Sequence, residues 1–192
     1  MAHTEILVDT NSYLRLAQNI HPLLGIAFGE ERYALYILPE LKAELQSSRL
    51  ENRFPWALEA EYAENRQKTL LIGKKQRTAI QDTYEYMWDY VTTEILPARK
   101  KGPSPVDTLH IATAAERGIQ VVTDDQDMIE LAETYGVPHL TSLELMALML
   151  KHGQIDLGCI EQIASQWRYE GDTPYQGWEK EYRKLFGMMP PK

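Results

Sequence analysis

Short apolar runs alternate with amphipathic helical patterns at both ends of the chain, and a long polar stretch separates them. Ile6-Leu7-Val8, Tyr33 to Leu38, Ile119 to Val122 and Val137 to Leu140 are runs of strand length, rich in β-branched or aromatic residues. Each leads toward a helix. Asp9-Thr10-Asn11-Ser12 forms a turn and cap before Tyr13, Leu14 and Leu16, and Pro39 opens a helix in which Glu40 and Glu44 share a face. Ser104 and Pro105 open an Ala-rich helix that Gly118 stops. A helix from Met128 to Tyr135 ends at Gly136, and Thr141 or Ser142 caps another. Strands alternating with helices predict an α/β fold with a parallel sheet.

The middle of the chain reads differently. From Ser47 to Lys101 there is no convincing strand, and Ile80, Tyr84, Met87, Trp88, Val91 and Ile95 fall at helical spacing, which predicts a long helix over 76–96. A helix near 56–71 is expected to pair with it as a hairpin. Beyond Leu150, helices at 159–168 and 175–186 form around Trp167 and Trp178, and the tail from Met188 is expected to be loosely held. The expected organisation is a core domain over 1–150 interrupted by a helical insertion at about 47–101, with 151–192 a helical extension of the same domain.

Composition narrows the class. The 192 residues suit a single core, and no apolar run approaches the roughly 20 residues of a membrane span. The opening MAHTEILVD has no basic segment followed by an apolar one, so a cytoplasmic location is expected. The lone cysteine, Cys159, reads as a packing residue. A net charge of −8 opposes tight nonspecific binding to nucleic acid. Two basic patches, Lys74-Lys75-Arg77 and Arg99-Lys100-Lys101, remain able to guide a phosphate backbone, although solvated helix ends are the plainer explanation.

The acidic residues carry the chemistry. Asp9 follows the first strand, Asp124, Asp125 and Asp127 follow the third, and Asp107 opens the helix between. In a parallel sheet such junctions face the crevice at the strands' carboxyl ends. Glu44 lies between Leu41 and Leu45 on the apolar side of its helix, where a carboxylate needs a partner. Mg²⁺ and Mn²⁺ prefer such oxygen donors, and metal-assisted phosphodiester hydrolysis needs them from separate loops. Singly, each acid has an innocent role as turn residue, surface residue or helix cap. Together, at consistent junctions, they read as a site.

Four segments resemble the PIN-domain ribonucleases, and among these the bacterial VapC-type toxins: Leu7-Val8-Asp9-Thr10-Asn11, Leu38 to Leu45, Pro105 to Ala114 and Val121 to Met128. The resemblance implies a three-layer α/β/α domain with a central parallel sheet and, here, extra helices. It implies Mg²⁺- or Mn²⁺-dependent endonucleolytic cleavage of RNA by an activated water. Asp9, Glu44, Asp107 and Asp125 then take catalytic positions. Asp9, Asp107, Asp125 and Asp127 hold metal, while Asn11 and Thr123 support the carboxylates or the scissile phosphate. RNA is the implied substrate, with an antitoxin protein and a second copy of the chain as partners, and no membrane. The long insertion and the extension after Leu150 depart from the shorter toxins.

Other classes fit the residues less well. A haloacid dehalogenase-like phosphatase needs an acid where Asn11 stands, and a dinucleotide-binding fold needs glycines that Asp9-Thr10-Asn11-Ser12 lacks. A catalytically silent PIN-like binding module and a nuclease acting on DNA both stay open. His110 reads as a packed residue with a satisfied ring nitrogen, and the four tryptophans as core rather than base-stacking residues.

Overall fold

The computed structural model describes residues 3–40, 44 and 52–191. Its centre is a four-stranded parallel sheet in the order β2-β1-β3-β4, with β1 at Thr4–Val8, β2 at Tyr33–Tyr36, β3 at Gln120–Val122 and β4 at His139–Leu140. Ile6 pairs with Leu35 on one side and Gln120 on the other, and Val122 pairs with Leu140. Non-consecutive neighbours β1 and β3 make this a crossover topology, and helices cover both faces.

Side-chain alternation separates those faces. Ile6, Val8, Leu35 and Val122 point into one core and Leu7 and Val121 into the opposite layer, all fully buried. The first core holds α1 (Thr10–Ala17) and three C-terminal helices, α7 (Ser142–Lys151), α8 (Leu157–Glu170) and α9 (Trp178–Phe186). The second holds α3 (Lys74–Tyr90), α5 (Pro105–Arg117) and α6 (Gln126–Thr134). The chain is therefore a three-layer α/β/α fold, and burial on both sides explains why its strands read as continuous apolar runs.

The C-terminal helices are anchored firmly. Trp167 and Trp178 are buried edge to face, with centroids 5.6 Å apart, and the Trp167 indole N–H donates to the Arg15 carbonyl at 3.0 Å. Of the tail expected to be loosely held, Met188 packs against this core and Pro190 is buried, Met189 is exposed, and Lys192 lies outside the described residues.

The middle region differs from its sequence reading. Instead of one helix over 56–71 there is a 3₁₀ turn at Pro55–Leu58 and a short α2 at Ala60–Asn65, followed by an extended segment in which Thr69 bridges to Ile37. The long helix α3 packs chiefly on α5 rather than forming a hairpin with its predecessor. Past Tyr90 its ladder widens into a π segment at Val91–Ile95, where the Leu96 N–H reaches Val91, before a last turn, α4, at Leu96–Arg99. Pro97 supplies the cause, since it has no N–H for the carbonyl one turn back. The helix expected after Pro39 and the start of the insertion fall largely on residues 41–43 and 45–51, outside the described residues.

Candidate active site

Asp9 leaves β1 with its own N–H still paired to Val122 across the sheet at 3.0 Å, so the strand ladder fixes its backbone beside β3. Its side chain caps α1. The Ser12 amide donates to Asp9 Oδ1 at 2.6 Å and the Thr123 hydroxyl donates to Oδ2 at 2.6 Å. Asp9 is only 4% exposed, and burial lifts its carboxyl pKa to about 6 against the pull of those hydrogen bonds, with neighbouring Asp124 raising it further. Next to it, Thr10 donates its hydroxyl to Glu44, which is half-buried. Thr10 thus links the acid after β1 to the glutamate beyond β2.

Thr123 is the junction on the other strand. The Asp125 amide donates to its hydroxyl oxygen at 3.1 Å while that hydroxyl donates to Asp9. Asp125 caps α6, its Oδ1 accepting from the amides of Asp127 at 2.8 Å and Met128 at 3.2 Å. Asp127 lies in the first turn, and Lys101 Nζ stands 3.7 Å from its Oδ2.

Asp124, between them, turns the other way. Ser142 donates to it from its amide at 2.8 Å and from its hydroxyl at 2.7 Å, and an Arg15 guanidinium nitrogen lies 3.1 Å from Oδ2. A second Arg15 nitrogen holds Asp172 at 3.2 Å, which Arg53 also meets at 3.1 Å. The sequence reading missed Arg15. A cation among Tyr13, Leu14, Leu16 and Ala17, all buried, is the signal that could have found it.

Asp107 is the third residue of α5 and makes a capping box: it accepts from the Ser104 amide at 2.8 Å and donates its own amide to the Ser104 hydroxyl at 3.2 Å. Because α5 ends where β3 begins and packs back along the sheet, its first turn lies toward the strands' carboxyl edge. Leu109 accordingly packs on the cluster of Leu7, Leu38 and Leu70. Asn11 is exposed on the first turn of α1 and makes no side-chain hydrogen bond among the described residues. His110 is buried with one ring nitrogen 3.0 Å from the Val106 carbonyl, while its Nε2 has no hydrogen-bond partner among the described residues.

Helix capping and metal binding are compatible uses of these acids. Asp107, Asp125 and Glu44 each have one oxygen engaged by the protein, leaving the second without a hydrogen-bond partner among the described residues. The engaged oxygen orients the group and the other stays available to a hard cation. Among the described residues no three His, Cys, Asp or Glu side chains converge closely enough to form a ready cage. Mg²⁺ does not require one, since it keeps several waters and takes one or two carboxylates. The donor chemistry therefore fits.

Comparison with known proteins gives the same direction. The family model described as PIN domain matches residues 6–134, which takes in β1, β3 and every acid described above except Asp172. No match was found among curated proteins or among solved structures. Proteins of this kind are in general nucleases, typically using divalent metal. The matched span exceeds half of the 192 residues, and the chain belongs to the PIN domain family.

Proposed function

We propose that the protein is a divalent-metal-dependent endoribonuclease whose working acids are Asp9, Glu44, Asp107 and Asp125, with Asp127 as a further metal-holding group. The observation that carries this reading is the Thr123 junction, which couples Asp9 to the Asp125 backbone across adjacent strands while leaving one Asp125 oxygen without a hydrogen-bond partner among the described residues. When bound, Mg²⁺ or Mn²⁺ lowers the pKa of water and neutralises phosphate charge. The chain's own part is orientation. Caps at Asp9, Asp107 and Asp125 aim three carboxylates from three helix entrances, and each sits near a positive helix end that also attracts the phosphate. Glu44, fixed by Thr10, is placed to orient the attacking water or accept its proton. Lys101 beside Asp127 is placed to meet the incoming strand. No covalent nucleophile is needed.

We take residues 1–150, with the insertion, as the nuclease portion and 151–192 as its extension, whose buried tryptophans share the core behind Asp9. The direct test is cleavage of single-stranded RNA and DNA with Mg²⁺, Mn²⁺ or EDTA beside Asp107→Asn purified identically. Cutting of RNA that needs metal and is lost in the variant supports the reading. Equal cutting by the variant, or none by folded protein with metal, moves it to a silent PIN-like binding module. Preference for DNA moves it to a DNA-directed nuclease.

A further inference from the structure

A cavity of about 480 Å³ opens between α3, α5 and the segment that follows β2. That size lies within the roughly 300–1,000 Å³ range of small-molecule sites. Its walls are aliphatic, formed by Leu38, Leu70, Ile72, Ile80 and Leu109. It starts at the same sheet edge as the acids, because Leu38 leaves β2 there and Leu109 is two residues along α5 from Asp107.

Three polar groups give the cavity a direction. Arg77 stands on its lining with Nε donating to the Ile72 carbonyl at 3.2 Å, which fixes the guanidinium plane, and its terminal nitrogens have no partner among the described residues. Gln81, one turn further along α3, also lines it; its amide nitrogen donates to Glu85 at 2.8 Å, which leaves its oxygen to accept. Thr113 contributes from α5; it is 1% exposed and its hydroxyl has no hydrogen-bond partner among the described residues, a costly state for a buried polar atom. Lys74 and Lys75 lie exposed in the first turn of α3, so Arg77 belongs to a local cluster of three cations on a chain of net charge −8. Glu40 also lines the cavity, and its charge repels anions near it.

We propose that this cavity seats one base of a single-stranded nucleic acid next to the acidic edge, with the Arg77 guanidinium on its phosphate and Gln81 and Thr113 at the base edge. Flat aliphatic walls suit a base taken out of its stack, and a fixed guanidinium suits a phosphate. The inference rests on the nuclease reading for its substrate class. It adds the site that chooses which nucleotide flanks the cut.

Binding is measured on the full chain in EDTA, so the strand stays intact, using methyl NMR and the anisotropy of a labelled eight-nucleotide RNA. Added 5′-mononucleotide at millimolar concentration is expected to shift the methyl signals of Leu70, Ile80 and Leu109. Arg77→Gln is expected to weaken the RNA about 5-fold and to raise KM with kcat nearly unchanged, as loss of one phosphate contact would. Lys180→Gln, remote from the cavity, serves as the charge control and should do neither. Unmoved methyl signals, or RNA binding by Arg77→Gln equal to wild type, overturn the inference. The two readings fail separately. Metal-dependent cleavage with unmoved methyl signals leaves the nuclease and removes the base site. Shifted signals that depend on Arg77, without cleavage in any metal, keep the site and remove the nuclease.

Discussion

Asp124 and Asp125 are neighbours in sequence and opposites in structure. Asp124 is buried, accepts two hydrogen bonds from Ser142 and meets the Arg15 guanidinium. Asp125 is half-buried, spends one oxygen on capping α6 and leaves the other without a hydrogen-bond partner among the described residues. The first is a neutralised structural tie between α1, α7 and the C-terminal segment at Asp172; the second is poised to bind. What separates these two neighbours is whether the protein itself completes the pairing; Asp9 is intermediate, buried with both oxygens accepting hydrogen bonds from Ser12 and Thr123, so a cation would have to share those oxygens.

Breaking the structural acid gives the largest expected effect. Arg15→Met strands the Asp124 charge in the interior, which costs about 3–5 kcal/mol when one partner of a buried pair is removed. Chemical denaturation checks it, and Asp124→Asn in the same background should recover much of the loss. If Arg15→Met is as stable as wild type, Asp124 is not held by that pair.

Asp9, which is buried and feels the Asp124 charge, gives a pH signature. Its carboxyl titrates at 3.8 when unperturbed and at about 6 in the fold, so the folded state binds more protons between those values. Stability of the metal-free protein from this group therefore falls as pH rises from about 4 to 6, by on the order of 3 kcal/mol at most. Denaturation in EDTA at pH 4 and pH 7 should show the fall in wild type and a smaller one in Asp9→Asn. Saturating Mg²⁺ should reverse it at pH 7 by mass action.

Asp125→Asn addresses the other half of the comparison. It should lower nuclease activity by at least about 100-fold, since even groups behind a metal ligand are worth 10–100-fold. Its melting temperature should change little, because an amide oxygen can still cap α6. Thr123→Val removes only the hydroxyl shared by Asp9 and the Asp125 amide, and should cost activity about 10-fold, read as a rate under saturating metal.

Much of the architecture was legible because its signals are local. The apolar run Ile6-Leu7-Val8 that makes a buried strand, the caps at Ser104 and Thr141, and the Gly118 stop all act within a few residues. The middle region was not, because Thr69 gains a bridge to Ile37 that only the folded sheet edge offers, and the partner of α3 is chosen by tertiary packing. The same limit applies at the acids. Sequence placed Asp124, Asp125 and Asp127 at one junction, but nothing local distinguishes them. Arg15 lies 109 residues from Asp124, and only the fold brings the two together.

The most direct test of the account is Mn²⁺ binding, followed by electron paramagnetic resonance in wild type, Asp125→Asn and Asp124→Asn. Saturable binding in wild type, weakened at least about 10-fold by Asp125→Asn and nearly unchanged by Asp124→Asn, is the predicted result. Absence of saturable binding in folded wild type, or greater loss in Asp124→Asn than in Asp125→Asn, would contradict it.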